Sequence, residues 1–159
     1  MTPSSDHLNH DHDSAQARGT LQTEAYATVI LKQVVAFLGI LDDVPAGVAK
    51  RMERQRVLRD GDHHYDVILG EQALYTNIGG PEVIRGQVGR LLRDIDLPSL
   101  TLGIVPATAR LSLFPVPAFG IYGEGDTVNV ELVFSELNIT AATPGIPPVA
   151  VAFGALHAA

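Results

Sequence analysis

His63 and His64 stand at one end of the run HHYDVILGE and Glu71 at the other, an imidazole pair and a carboxylate of the kinds used in general acid–base catalysis. That work needs a histidine within hydrogen-bond reach of a substrate. Adjacent side chains of a strand point to opposite faces, so no more than one of the two histidines can serve a site. A polar start to a strand is the simpler expectation. His7, His10 and His12, interleaved with Asp6, Asp11 and Asp13, are donors that suit zinc or nickel. On an unstructured leader each ligand brings an ordering cost, so a solvated tail is expected there and no metal. Lys50, Arg51, Arg54, Arg56 and Arg59 are the one dense basic patch among 11 Lys and Arg. Such a patch suits DNA phosphate or an acidic partner, or is a solvated face that balances an acidic remainder. Glu53 inside it works against a phosphate reading.

Other reactive patterns are missing from the sequence. There is no Gly-x-Ser-x-Gly nucleophile elbow, and neither the dinucleotide nor the Walker glycine motif occurs. GGPE, at residues 79–82, precedes an amphipathic run and has backbone amides to offer an anion. Glu82 would place negative charge where that anion would sit, and it suits the helix dipole by itself. A helix start is expected. With no Cys, disulfides, thiolate nucleophiles and cysteine-ligated metals are excluded. No catalytic residue, cofactor or metal is expected, and the chain is read as no enzyme.

A length of 159 residues suits one domain with one core. The net charge of −7, from 11 basic against 18 acidic residues, opposes a broad grip on nucleic acid. An aromatic share of 6% without Trp opposes a base-stacking surface. No apolar run approaches the roughly 20 residues of a membrane helix, and the N-terminus lacks the basic and apolar regions of a secretory signal. A cytoplasmic protein is expected.

The elements that must position these residues follow from periodicity. Residues 1–18 lack apolar area to offset their ordering entropy and are expected to be a disordered His/Asp-rich tail. Leu21, Ala25, Val29, Val34 and Leu38, with Ile30 and Leu31, recur at helical spacing up to Gly39. Asp42 or Asp43 caps a second helix ahead of Pro45, with Val48, Met52 and Leu58 as its apolar seam and Gly61 as its end. HHYDVILGE reads as a strand with Val67 and Leu69 on one face. Val83, Ile84, Val88, Leu91, Leu92 and Ile95 make the clearest amphipathic helix, ended before Pro98. SLTLGIVP is a second strand, and FPVPAFGIYGEGD with TVNVELVFSE an antiparallel hairpin. The expected fold is α+β, helices packed on one face of a small, mostly antiparallel sheet. Residues 19–143 would be this domain and 144–159 an irregular, Pro-rich C-terminus.

Five ordered blocks then carry a resemblance: GTLQTEAYAT, RMERQRVL, VILGEQAL, IGGPEVIRGQVGRLL and LPSLTLGIVP, spanning Gly19 to Pro106 and continuing more loosely to Thr140. Together they resemble the C-terminal domain of unknown function of actinobacterial Xre-type helix-turn-helix transcriptional regulators, the WhiJ-like, Scr-type toxin-antitoxin-like group. Leu21, Gln22, Thr23, Tyr26, Arg54, Gln55, Glu71, Gly79, Gly80 and Gln87 occupy that family's characteristic places. The resemblance implies a non-enzymatic, antitoxin-like regulatory domain acting by protein–protein contact, with Gln22, Thr23, Tyr26, Arg54, Gln55, Glu71 and Gln87 as partner-binding residues. The implied partner is a small neighbour-encoded protein, a full-length regulator or a second copy, with nucleic acid touched only indirectly and no membrane. The family's DNA-binding head has no counterpart in the residues before the first block, and PGIPPVAV stands where the family's last helix begins. The chain is thus expected to be a free-standing remnant or a truncated regulator. Two rival readings are direct DNA binding through residues 50–59, and a small-ligand sensor or hydrolase using His63 or His64 with Glu71.

Overall fold

A computed structural model describes residues 7–13, 19–61, 63–111, 119–122, 127–131 and 136–140, with side chains for 19–61 and 63–111. β1 (His7–Asp13) is followed by a 3-10 turn, Gly19–Leu21, that leads to α1 (Glu24–Leu38). Thr23 starts α1 by satisfying a first-turn amide: its hydroxyl accepts from Tyr26 N at 3.2 Å. Gly39, at φ 63°, ends it with its amide on Val35 O. α2 (Val44–Arg54), with Pro45 in its first turn, runs into a second 3-10 turn, Gln55–Arg59. Then come β2 (His63–Gly70), the single-turn α3 (Gln72–Tyr75), α4 (Pro81–Asp94) and β3 (Leu100–Val105). β4 (Phe119–Tyr122), β5 (Thr127–Glu131) and β6 (Glu136–Thr140) complete the sheet.

The expectation of a mostly antiparallel sheet is overturned. Strand order is β3-β2-β1-β4-β5-β6, and the β1–β2 and β2–β3 pairs are parallel. Parallel neighbours need a crossover, and each pair has a helical one: α1 and α2 between β1 and β2, α3 and α4 between β2 and β3. Antiparallel pairing is confined to β1–β4, β4–β5 and β5–β6, away from the helical crossovers. The sheet is therefore mixed, within a broadly α+β chain.

His7–Asp13, read from composition as part of an unstructured tail, lie between β2 and β4, with His7 opposite His63 and Asp13 opposite Leu69. Backbone pairing on both sides supplies what the side-chain composition does not. The expected turn at residues 123–126 and the C-terminus 144–159 lie outside the described residues.

Among the described residues, three clusters build the core. Tyr65, Val67 and Leu69, alternating along β2, join Leu100 of β3 and Leu21, Leu58 and Leu91 from the turns and α4. Tyr26 and Ile30 of α1 meet Ile78, Val83 and Ile84 at the start of α4. Ala27 packs on Val44 and Val48 of α2, flanked by Leu31, Val35 and Met52. The inward stripe of α1 is thus Tyr26, Ala27 and Ile30, while Ala25 and Val34 of the expected set are exposed. In α4 the buried residues are Gln87, Leu91 and Asp94, and Leu92 and Ile95 face out.

Gly79 and Gly80 adopt φ 78° and 91°, a left-handed region that favours glycine. At Gly79 a Cβ would also lie 2.7 Å from Val29 Cγ2 of α1. The glycine pair therefore sets how closely α4 begins against α1, with Pro81 at the head of the helix. Among the described residues, no helix is long and apolar enough to cross a membrane.

Candidate functional site

Gln22, Gln55 and Gln87 meet at the short segment Gly19–Thr23, which lies between α4 and the second 3-10 turn. A chain entering a core outside regular structure leaves backbone groups unpaired, and buried side-chain amides can satisfy them. Gln87 does so on one side: its Oε1 accepts from Thr23 N at 2.8 Å and its Nε2 donates to Leu21 O at 2.8 Å. On the other side Gln55 Nε2 donates to Gly19 O at 3.0 Å and to Gln22 O at 2.7 Å. Arg51 of α2 donates to Gln22 Oε1 at 2.7 Å. The result is a polar clamp in which Gln22, Gln55 and Gln87 are 2%, 6% and 3% exposed.

This placement changes the meaning of the seven expected partner-binding residues. Gln22, Tyr26, Gln55 and Gln87 are buried, so they hold the framework and offer no surface for contact. Thr23, half-buried, caps α1. Glu71 links the ends of two strands: its amide donates to Val105 O at 2.9 Å, and its Oε2 accepts from Ala107 N at 2.6 Å. Arg54 alone of the seven is exposed.

The clamp continues into a row of arginines. Arg90 of α4 donates from Nη1 to Gln55 Oε1 at 3.0 Å and from Nε to Asp94 Oδ2. Arg59 reaches the same carboxylate, its Nη2 lying 3.0 Å from Asp94 Oδ1. Asp94 is 1% exposed, and two guanidinium groups compensate its buried charge. Above this floor lies a cleft of about 660 Å³, lined by Met52, Gln55, Arg56, Arg59 and Asp60 on one side and Arg90, Arg93 and Asp94 on the other. Arg56 and Arg93 are exposed and enter no ion pair among the described residues. Sequence reading found Arg56 and Arg59 but missed Arg90, Arg93 and Asp94. The i,i+4 spacing of Arg90 and Asp94 was the available signal.

The proposed pairing of His63 or His64 with Glu71 is not brought together. The histidines open β2 and Glu71 follows its last residue, roughly 23–26 Å away at about 3.3 Å per residue. His63 Nδ1 lies 2.9 Å from Asp60 Oδ2, and His64 Nε2 lies 3.0 Å from Thr101 Oγ1 and 3.3 Å from Asp66 Oδ1. Among the described residues, no group of three or more His, Cys, Asp or Glu side chains could hold a metal. The side chains of His7, His10 and His12 lie outside that description.

A different surface lies at the far end of α1. Phe37, Ile40 and Leu41 are 69%, 54% and 92% exposed, and Val34 joins them one turn earlier. They occupy the last turn of α1 and the connection to α2.

No curated protein and no solved structure matches the chain. A family profile does, over residues 10–144, from within β1 to beyond β6. The chain belongs to the family described as "Domain of unknown function (DUF5753)".

Proposed function

We propose that this chain is a regulatory domain that acts by protein–protein contact, with the apolar end of α1 as its contact surface. The observation that carries the reading is the exposure of Ile40 and Leu41 in the connection after α1, 54% and 92%, with Val34 of α1 at 38%. A contiguous exposed apolar patch favours burial against a partner, whereas isolated apolar residues do not need one. Support also comes from the resemblance to the C-terminal domain of Xre-type helix-turn-helix regulators. On this reading Gln22, Gln55 and Gln87 hold a rigid frame, and the exposed end of α1 makes the contact. The partner is a second copy, a full-length regulator carrying the same domain, or a small protein encoded nearby, in the cytoplasm, with DNA touched only through that partner.

Light scattering on the purified chain, and pull-downs with a full-length regulator and with the neighbouring small protein, test this. Association that is lost in Ile40→Asp and Leu41→Asp, with the thermal midpoint retained, supports the proposal. A monomer that captures neither protein overturns it, as does association unaffected by both substitutions.

A further inference from the structure

We propose that the arginine cleft between the Gln55–Arg59 turn and α4 is a binding site for a small phosphate monoester of nucleotide size. This goes beyond the protein-contact reading and does not depend on it.

Charge is the first ground. Four guanidinium groups, from Arg56, Arg59, Arg90 and Arg93, face two carboxylates, Asp60 and Asp94, leaving two positive charges in one concavity. The chain as a whole carries −7, so the cleft stands against the protein's own sign. A phosphate monoester brings about −1.5 to −2 at neutral pH, which matches that excess.

Pre-organisation is the second. The buried Asp94 and Gln55 hold Arg90 through two bonds, and Asp94 holds Arg59 through one. A guanidinium has five N–H donors, so both arginines keep donors for a ligand, Arg90 with its plane set by two bonds and Arg59 tethered by one. Arg56 and Arg93, exposed on opposite walls and in no ion pair among the described residues, can close on the same oxygens. Fixing part of a binding group in advance lowers the entropy lost on association.

Shape is the third. The depression is open to solvent and holds about 660 Å³, room for a nucleotide-sized ligand, with Met52 as an apolar wall for its body. Duplex DNA instead requires cations spread over a surface that meets a backbone, and it would bring many negative charges towards an acidic protein.

Titration calorimetry at low ionic strength, with adenosine 5′-monophosphate as probe and inorganic phosphate and a short DNA duplex as comparisons, tests the site. The expected result is saturable one-to-one binding of the nucleotide, tighter than that of inorganic phosphate. Arg56→Ala and Arg93→Ala should each weaken it by about tenfold or more, the loss of one charged hydrogen bond. Their thermal midpoints should be unchanged, because both side chains are exposed. Arg85→Ala removes an equal charge from α4 outside the cleft and should leave the affinity as it was. No heat with the nucleotide at millimolar concentration overturns the proposal. So does an equal loss in Arg85→Ala, or duplex binding without nucleotide binding.

Discussion

Replacing Gln87 by leucine keeps nearly the same side-chain volume and removes both hydrogen bonds on one side of the clamp. Thr23 N loses its acceptor at 2.8 Å and Leu21 O its donor at 2.8 Å. Leu21 is 0% exposed, so water cannot easily replace the lost partner at its carbonyl. Each buried group left unsatisfied costs about 1–3 kcal/mol, and the Thr23 amide, only part-buried, falls at the low end. The expected loss is about 3 kcal/mol. For a chain of this size that lowers the thermal midpoint by about 6–12 °C. Urea denaturation with a matched Gln33→Leu control measures it, since Gln33 is exposed on α1 and its replacement should stay within about 0.5 kcal/mol. Native-state hydrogen exchange adds a local readout, in which the Thr23 amide should lose protection relative to the core amides of β2. A Gln87→Leu protein within about 0.5 kcal/mol of wild type, with Thr23 still protected, would refute the clamp.

Other consequences are measurable with the same methods. Gly79→Ala places a methyl group 2.7 Å from Val29 Cγ2 at a φ of 78° and should cost about 2 kcal/mol or more by denaturation. Gly80→Ala has open space, but at φ 91° and ψ 172° it sits where essentially only glycine is found, so it should cost the backbone strain alone, about 1–3 kcal/mol. Asp94→Ala leaves Arg59 and Arg90 without their shared acceptor and should destabilise by about 3 kcal/mol, whereas Glu82→Ala, breaking the exposed pair with Arg85, should cost under about 0.5 kcal/mol. Thr23→Ala removes the cap of α1 and should lower stability by about 1 kcal/mol in the same titration.

Sequence periodicity alone located β2, α4, β3 and the start of α2, because Pro45, Gly61, Gly79–Pro81 and Pro98 punctuate them locally, whereas the helix expected to run to Gly61 gives way to a 3-10 turn after Arg54. It also established that Gly79–Gly80–Pro81 starts a helix, since φ preferences are properties of the residues themselves. The facing of α1 was not legible. Its residues 25–31 and 34–38 are apolar almost all round, so several stripes fit the pattern, and only contact with α2 and α4 selects Tyr26, Ala27 and Ile30. Strand direction was likewise outside local reach. Whether β1, β2 and β3 run parallel depends on how the helical crossovers return to the sheet, a relation between distant segments. His7–Asp13 became a strand only because β2 and β4 lie on either side of it.

The functional residues divide along the same line. Side-chain type told that Gln22, Gln55 and Gln87 can donate and accept. That they turn inward to hold Gly19–Thr23 follows from the packing of this short segment between α4 and the second 3-10 turn, where their amides reach the Gly19, Leu21 and Gln22 carbonyls and the Thr23 amide. Arg56 and Arg59 were visible as part of a basic run, but the cleft needed Arg90 and Arg93 from α4, more than 30 positions away. Charge and hydrogen-bonding capacity are local and can be read from residue types. Convergence on one site arises only when the packed core brings distant segments together.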